Sequence, residues 1–73
     1  MIKSKLKLLI VQRELDKGQK ITYESLANEV GLSKTTLNRL AENKTERIDF
    51  LTLDKLCRYF ECDVGDLLNY HAE

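Results

Sequence analysis

Proline is absent from the sequence, and glycine occurs at only three positions. Proline interrupts helix interiors, so its absence leaves long helical segments possible. Charged residues make up 33 % of the chain and hydrophobic residues 42 %, proportions that favour a packed core over a disordered tail. We therefore predict one compact domain, residues 1–73, that is helical rather than strand-rich.

Long apolar runs are also missing, and none approaches the roughly 18 residues that a membrane-spanning helix needs. Near the start of the chain, lysines at positions 3, 5 and 7 interrupt the apolar residues, and no small-residue cleavage site follows them. We therefore expect a cytoplasmic protein that does not contact a membrane.

Cysteine and histidine are scarce, with only Cys57, Cys62 and His71. Two cysteines are too few for a disulfide framework, and a structural zinc site requires four Cys or His ligands. We interpret both cysteines as reduced thiols in or near the core. The sequence predicts no metal and no cofactor.

Sequence features of an enzyme are missing as well. The chain has no glycine-rich phosphate loop, no Cys–His nucleophile pair with an orienting residue and no carboxylate cluster. At 73 residues it is also short for enclosing a substrate pocket. We predict no catalytic residues and no enzymatic activity.

The net charge is zero, which at first argues against a nucleic-acid partner, because Lys and Arg supply most of the affinity for phosphates. The charges are unevenly distributed, however. Residues 1–47 carry ten basic and six acidic side chains, whereas residues 48–73 carry two basic and six acidic. The first part of the chain could therefore meet an anionic partner.

Hydrophobic residues recur at helical spacing in five segments, which predicts an all-α, compact five-helix bundle. The first predicted helix spans about Lys3–Asp16 and ends at Gly18, and the second spans residues 22–30, with Thr22 as its cap and Gly31 closing it. The third spans Lys34–Ala41 and is capped by Ser33, and the fourth is capped by Asp49. The fifth is a short segment that holds Val64, Leu67 and Leu68, with Asp63 and Asp66 as its capping pair.

The predicted core consists of the apolar faces of these helices: Leu6, Leu9, Ile10, Leu26, Ala27, Val30, Leu37, Leu40, Ala41, Leu53, Leu56, Cys57, Phe60 and Leu67. The first helix carries a second apolar row of Leu8, Val11 and Leu15. This row either lies beneath the loop Lys17–Ile21 or meets a partner subunit. Together with the end of the chain near Leu67 and Tyr70, it is the basis for expecting a homodimer.

A helix-turn-helix pattern occupies residues 22–41. A small residue, Ala27, stands where two helices must approach closely, and Gly31 stands in a turn of three residues. The segments Ile21–Ala27 and Val30–Leu40 resemble the Cro/phage-repressor helix-turn-helix family, also called the xenobiotic-response-element type. The resemblance continues through Leu53–Phe60 and the pair Leu67-Leu68, and so covers nearly the whole chain.

This resemblance implies a five-helix fold and sequence-specific binding of double-stranded DNA by a small transcriptional regulator, a repressor, with helix 34–41 in the major groove. It places Lys34, Thr35, Asn38 and Arg39 against base edges, and their side chains offer suitable donors, acceptors and a methyl group. Residues implied to contact the DNA backbone are Tyr23, Ser33, Thr36, Asn43, Lys44, Thr45 and Arg47. Glu42 brings a negative charge to the same side.

An alternative function fits the neutral net charge. The same fold can act as a protein–protein interaction module, such as an antitoxin-like or regulatory partner. Salt dependence separates the two functions, because duplex binding weakens steeply with salt and apolar protein contacts do not.

Overall fold

The computed structural model describes residues 1–72 and contains, within them, two short strands and five helices. In chain order these are β1 (Ile2–Ser4), α1 (Leu6–Lys17), α2 (Tyr23–Val30), α3 (Lys34–Ala41), α4 (Phe50–Phe60), α5 (Val64–Leu67) and β2 (Leu68–Tyr70). All five predicted helices are present. None of the helices in residues 1–72 is long and apolar enough to cross a membrane.

The prediction of a purely all-α fold was wrong, because β1 and β2 form an antiparallel sheet in which Ser4 pairs with Leu68. The first helix therefore begins at Leu6 rather than Lys3, and Leu68 belongs to a strand rather than to the last helix. Strands of three residues are too short to show an alternating apolar pattern. Their pairing joins the two ends of the chain, so no local signal predicts it.

Side-chain caps begin three of the helices, as predicted. Thr22, Ser33 and Asp49 each accept a hydrogen bond from the backbone N–H three residues later, at 3.0 Å in each case. These bonds satisfy amides that have no partner within their own helix. The caps fix where α2, α3 and α4 start.

One hydrophobic core joins the helices. Its fully buried members are one leucine from each helix: Leu6, Leu26, Leu37, Leu56 and Leu67. The predicted core is confirmed in position, although Leu9, Leu53, Cys57 and Phe60 are only half-buried. At the edge of the core, the Arg13 guanidinium lies 4.7 Å from the centre of the Tyr59 ring, within the range of a cation–π contact.

The second apolar row of α1 lies at the surface. Leu8, Val11 and Leu15 are 52 %, 49 % and 81 % exposed. Burial of this row beneath the loop Lys17–Ile21 is therefore excluded, and the row is free to contact another molecule.

Candidate nucleic-acid interface

The turn between α2 and α3 has a tightly defined geometry. Gly31 adopts a left-handed conformation with φ of 74°, which is unfavourable for residues that carry a Cβ. The carbonyl of Ala27 accepts hydrogen bonds from the N–H groups of Gly31 (2.9 Å) and Leu32 (3.1 Å). From α4, the Lys55 ammonium donates to the Gly31 carbonyl over 3.2 Å. Hydrogen bonds from α2 and from α4 therefore fix the turn, and with it the direction in which α3 begins.

Burial of one face of α3 determines which side chains face outward. Leu37, Leu40 and Ala41 are buried in the core. The four side chains predicted to read bases are all exposed on the other faces of the helix: Lys34, Thr35, Asn38 and Arg39. Pairs four residues apart share a face of a helix, so Thr35 neighbours Arg39 and Lys34 neighbours Asn38.

A concave surface lies between α3 and the loop that follows it. It is lined by six of the residues predicted to contact DNA and by one acidic residue: Thr35, Thr36, Arg39, Lys44, Thr45, Arg47 and Glu46. The Arg39 guanidinium donates to the Lys44 carbonyl over 3.3 Å. A guanidinium has five N–H donors, so this bond holds Arg39 in place and leaves donors for a ligand.

Two of the remaining predicted contact residues, Ser33 and Tyr23, lie at the starts of helices. The Ser33 hydroxyl accepts from the Thr36 N–H and donates to the Thr36 hydroxyl over 2.7 Å. Tyr23 is the first residue of α2, where it is half-buried against the core. Neither Ser33 nor Tyr23 lines the concave surface beside α3. The rest of the predicted set therefore lies at the N-terminal ends of α2 and α3, except for Asn38 in the middle of α3 and Asn43 in the turn after it.

Asn43 ends the turn after α3 in a left-handed conformation, with φ of 59°. Asparagine is among the non-glycine residues that adopt this conformation most readily. Its Oδ1 accepts a hydrogen bond of 2.7 Å from the Ser4 N–H of β1. This oxygen is therefore engaged within the protein.

An ion pair that the sequence did not reveal lies beside the interface. The Lys7 ammonium is 3.0 Å from Glu42 Oε1, and the two side chains are 58 % and 42 % exposed. A hydrogen bond and the negative charge of Glu42 raise the pKa of Lys7 above its usual value. The negative charge of Glu42 is therefore offset by a cation from α1. The two residues are 35 positions apart in the sequence, and no sequence pattern links residues that far apart.

The two cysteines lie away from this surface, half-buried on and after α4. Burial, with the neighbouring Cys57 as a smaller contribution, raises the pKa of the Cys62 thiol, so that it stays protonated to higher pH. Across residues 1–72, no three His, Cys, Asp or Glu side chains come together as metal ligands would.

The chain is similar to a known domain family and to a protein of that type. The family model described as the Cro/C1-type HTH DNA-binding domain matches residues 13–73. The chain is also 31 % identical, over 55 residues, to the uncharacterized HTH-type transcriptional regulator YozG of Bacillus subtilis (strain 168). This alignment covers 75 % of the chain and 66 % of YozG, slightly less than two thirds of the relative's length.

Proposed function

The chain belongs to the Cro/C1-type helix-turn-helix family of DNA-binding domains, and on that basis we propose that it binds double-stranded DNA sequence-specifically and represses transcription. Residues 1–73 act in this proposal as one domain. The observation that carries it is the outer surface of α3, where exposed polar and cationic side chains adjoin the basic loop Lys44–Arg47.

In the proposed complex, α3 enters the major groove, which is wide enough for one helix. Lys34 and Arg39 donate to guanine O6 and N7, and Asn38 bonds to adenine. The Thr35 methyl or hydroxyl group meets thymine or a base acceptor. These contacts select the sequence, since each base pair presents a distinct pattern of donors and acceptors in the major groove.

The proposed backbone contacts set the position of α3 along the duplex without reading its sequence. They come from the start of the helix-turn-helix and from the loop after α3: Tyr23, Ser33, Thr36, Asn43, Lys44, Thr45 and Arg47. The N-terminal ends of α2 and α3 suit this role because their helix dipoles, and the first-turn amides that the Thr22 and Ser33 caps do not engage, favour phosphate.

Replacement of Lys44 by alanine tests the backbone contacts. Lys44 is exposed in the loop after α3, so its loss should weaken binding to all duplexes about equally. The slope of log affinity against log salt should fall by about one unit, because one fewer counterion is released. Fluorescence titrations with a selected duplex and a scrambled duplex, each at several salt concentrations, measure both effects.

Arg58→Ala is the matched control, since it also removes one unit of positive charge. Arg58 lies on α4, where it is paired with Asp54 at 3.0 Å. We expect this variant to keep the wild-type salt slope. An unchanged slope for Lys44→Ala would contradict a phosphate contact at this residue.

We also propose that two copies bind together, on half-sites about one helical turn apart. One recognition helix makes few contacts, so a dimer gives more useful specificity. The exposed row of Leu8, Val11 and Leu15 supports this proposal by offering an apolar surface for self-association.

Sedimentation at about tens of micromolar, a range that populates weak dimers, tests the second copy. We expect two chains on each full-length site. A single chain, both with and without DNA, would contradict the dimer and leave the monomeric interface intact.

A further inference from the structure

Two contacts join the N-terminal segment of the chain to the C-terminal end of α3. The Ser4 N–H donates to Asn43 Oδ1 over 2.7 Å, and the Lys7 ammonium lies 3.0 Å from Glu42 Oε1. From the first contact we infer that β1 is a positioning element for the loop Lys44–Arg47, and the second contact, from the first turn of α1, supports it at the neighbouring residue. This inference rests on the proposed function, since the loop is expected to grip the DNA backbone.

The geometry of β1 shows why Ser4 is available to Asn43. In an antiparallel pair, alternate residues direct their backbone N–H groups toward the partner strand and away from it. Lys5 donates its N–H to the Leu67 carbonyl on the β2 side, over 2.7 Å. The N–H of Ser4 therefore points to the opposite edge of β1, where the Asn43 side chain accepts it in place of a third strand.

Asn43 is well placed to transmit this restraint. Its own N–H donates to the Leu40 carbonyl (3.2 Å), and the next N–H, that of Lys44, donates to the Arg39 carbonyl (2.9 Å). Asn43 is thus tied to α3 through its backbone and to β1 through its side chain. The chain direction is fixed at the residue before the loop begins.

The ion pair between Lys7 and Glu42 acts on the preceding residue. Glu42 caps the end of α3, with its N–H donating to the Asn38 carbonyl over 3.0 Å. Its carboxylate is drawn toward α1 by the Lys7 ammonium. Two consecutive residues at the end of α3 are therefore held by the N-terminal segment.

Ordering the loop in the free protein strengthens binding, because side chains that are already placed lose less conformational freedom when DNA binds. Removal of the bond between Ser4 and Asn43 should therefore weaken binding to the selected and scrambled duplexes alike. We expect the affinity to fall roughly 3- to 10-fold, which corresponds to the cost of immobilising one side chain on binding. The change in preference between the two duplexes should be smaller than this common loss, because the loop contacts the base-reading face of α3 only through the bond from Arg39 to the Lys44 carbonyl.

Ser4→Pro tests this inference, since proline has no N–H and is tolerated on a sheet edge. Ser4→Ala is the matched control. It keeps the N–H to Asn43 and loses only the hydroxyl, which accepts from the Leu6 N–H over 3.0 Å. The two readouts are backbone ¹⁵N relaxation of residues 44–47 in the free protein and affinity for both duplexes.

We expect Ser4→Pro to raise the mobility of residues 44–47 and to weaken both duplexes, with Ser4→Ala close to wild type. Equal mobility in the two variants would overturn the inference. If Ser4→Pro does not fold, Asn43→Gly removes the same bond while keeping the left-handed backbone, and it must show the same mobility. Failure of the wild type to bind either duplex would refute the proposed function, and loop mobility would still decide the role of β1.

Discussion

Replacement of Ala27 by leucine is expected to lower the free energy of unfolding by more than about 2 kcal/mol, because the larger side chain overpacks the contact between α2 and α3. Ala27 is 8 % exposed and belongs to the core that α2 shares with α3. Its carbonyl accepts hydrogen bonds from both Gly31 and Leu32, so the backbone cannot move without disturbing the turn. The added carbon atoms must therefore displace α3 or its neighbours.

Urea denaturation followed by circular dichroism measures this change. Asn28→Leu is the control, since it adds a leucine at the next position of α2, where the side chain is exposed. We expect the control to stay within about 0.5 kcal/mol of wild type, as is usual for surface substitutions. An unchanged denaturation midpoint for Ala27→Leu would show that Ala27 does not lie at a tightly packed contact between α2 and α3.

Arg39→Ala is expected to cost about 1 to 3 kcal/mol of binding free energy on the preferred duplex and to relax the choice at one base pair. Arg39 is exposed on α3, and its guanidinium is held toward the loop by the Lys44 carbonyl. A bidentate contact from such a group distinguishes guanine from other bases. On a scrambled duplex that contact is not made, so the loss there should be small.

Titration of Arg39→Ala against the selected and scrambled duplexes measures this difference. Arg58→Ala, which removes an arginine from the exposed surface of α4, serves again as the control and should bind both duplexes as wild type does. Equal losses on the two duplexes would show that Arg39 contacts phosphate rather than a base. No loss on either would favour the protein-interaction function.

The helix-turn-helix could be predicted from the sequence because its signals are local. Ser33 caps α3 three residues before its partner amide, Gly31 marks the left-handed turn, and apolar residues at helical spacing define the buried face of α3. Once that face is known, the exposed positions of the helix follow from its 3.6-residue period. The placement of the four proposed base-reading side chains was therefore accessible without the structure.

Most of the contacts that the sequence did not predict join distant parts of the chain. The sheet pairs Ser4 with Leu68, and the bond to Asn43 and the ion pair of Lys7 with Glu42 cross from the N-terminal segment to α3. Each depends on how separate elements of the fold pack together, which a periodic pattern does not specify. A lysine on a helix surface carries the same local signal whether or not a carboxylate lies opposite.

Salt-dependent titration of the wild-type protein tests the central claim most directly. A duplex selected from a random pool and its scrambled counterpart are compared between about 50 and 200 mM salt, a range over which phosphate-mediated binding weakens strongly. We predict that affinity for both falls steeply with salt and that the selected duplex is preferred by at least about 1,000-fold, as is typical of specific DNA-binding proteins. Binding that is insensitive to salt, or that shows no preference between the duplexes, would contradict sequence-specific DNA recognition by α3.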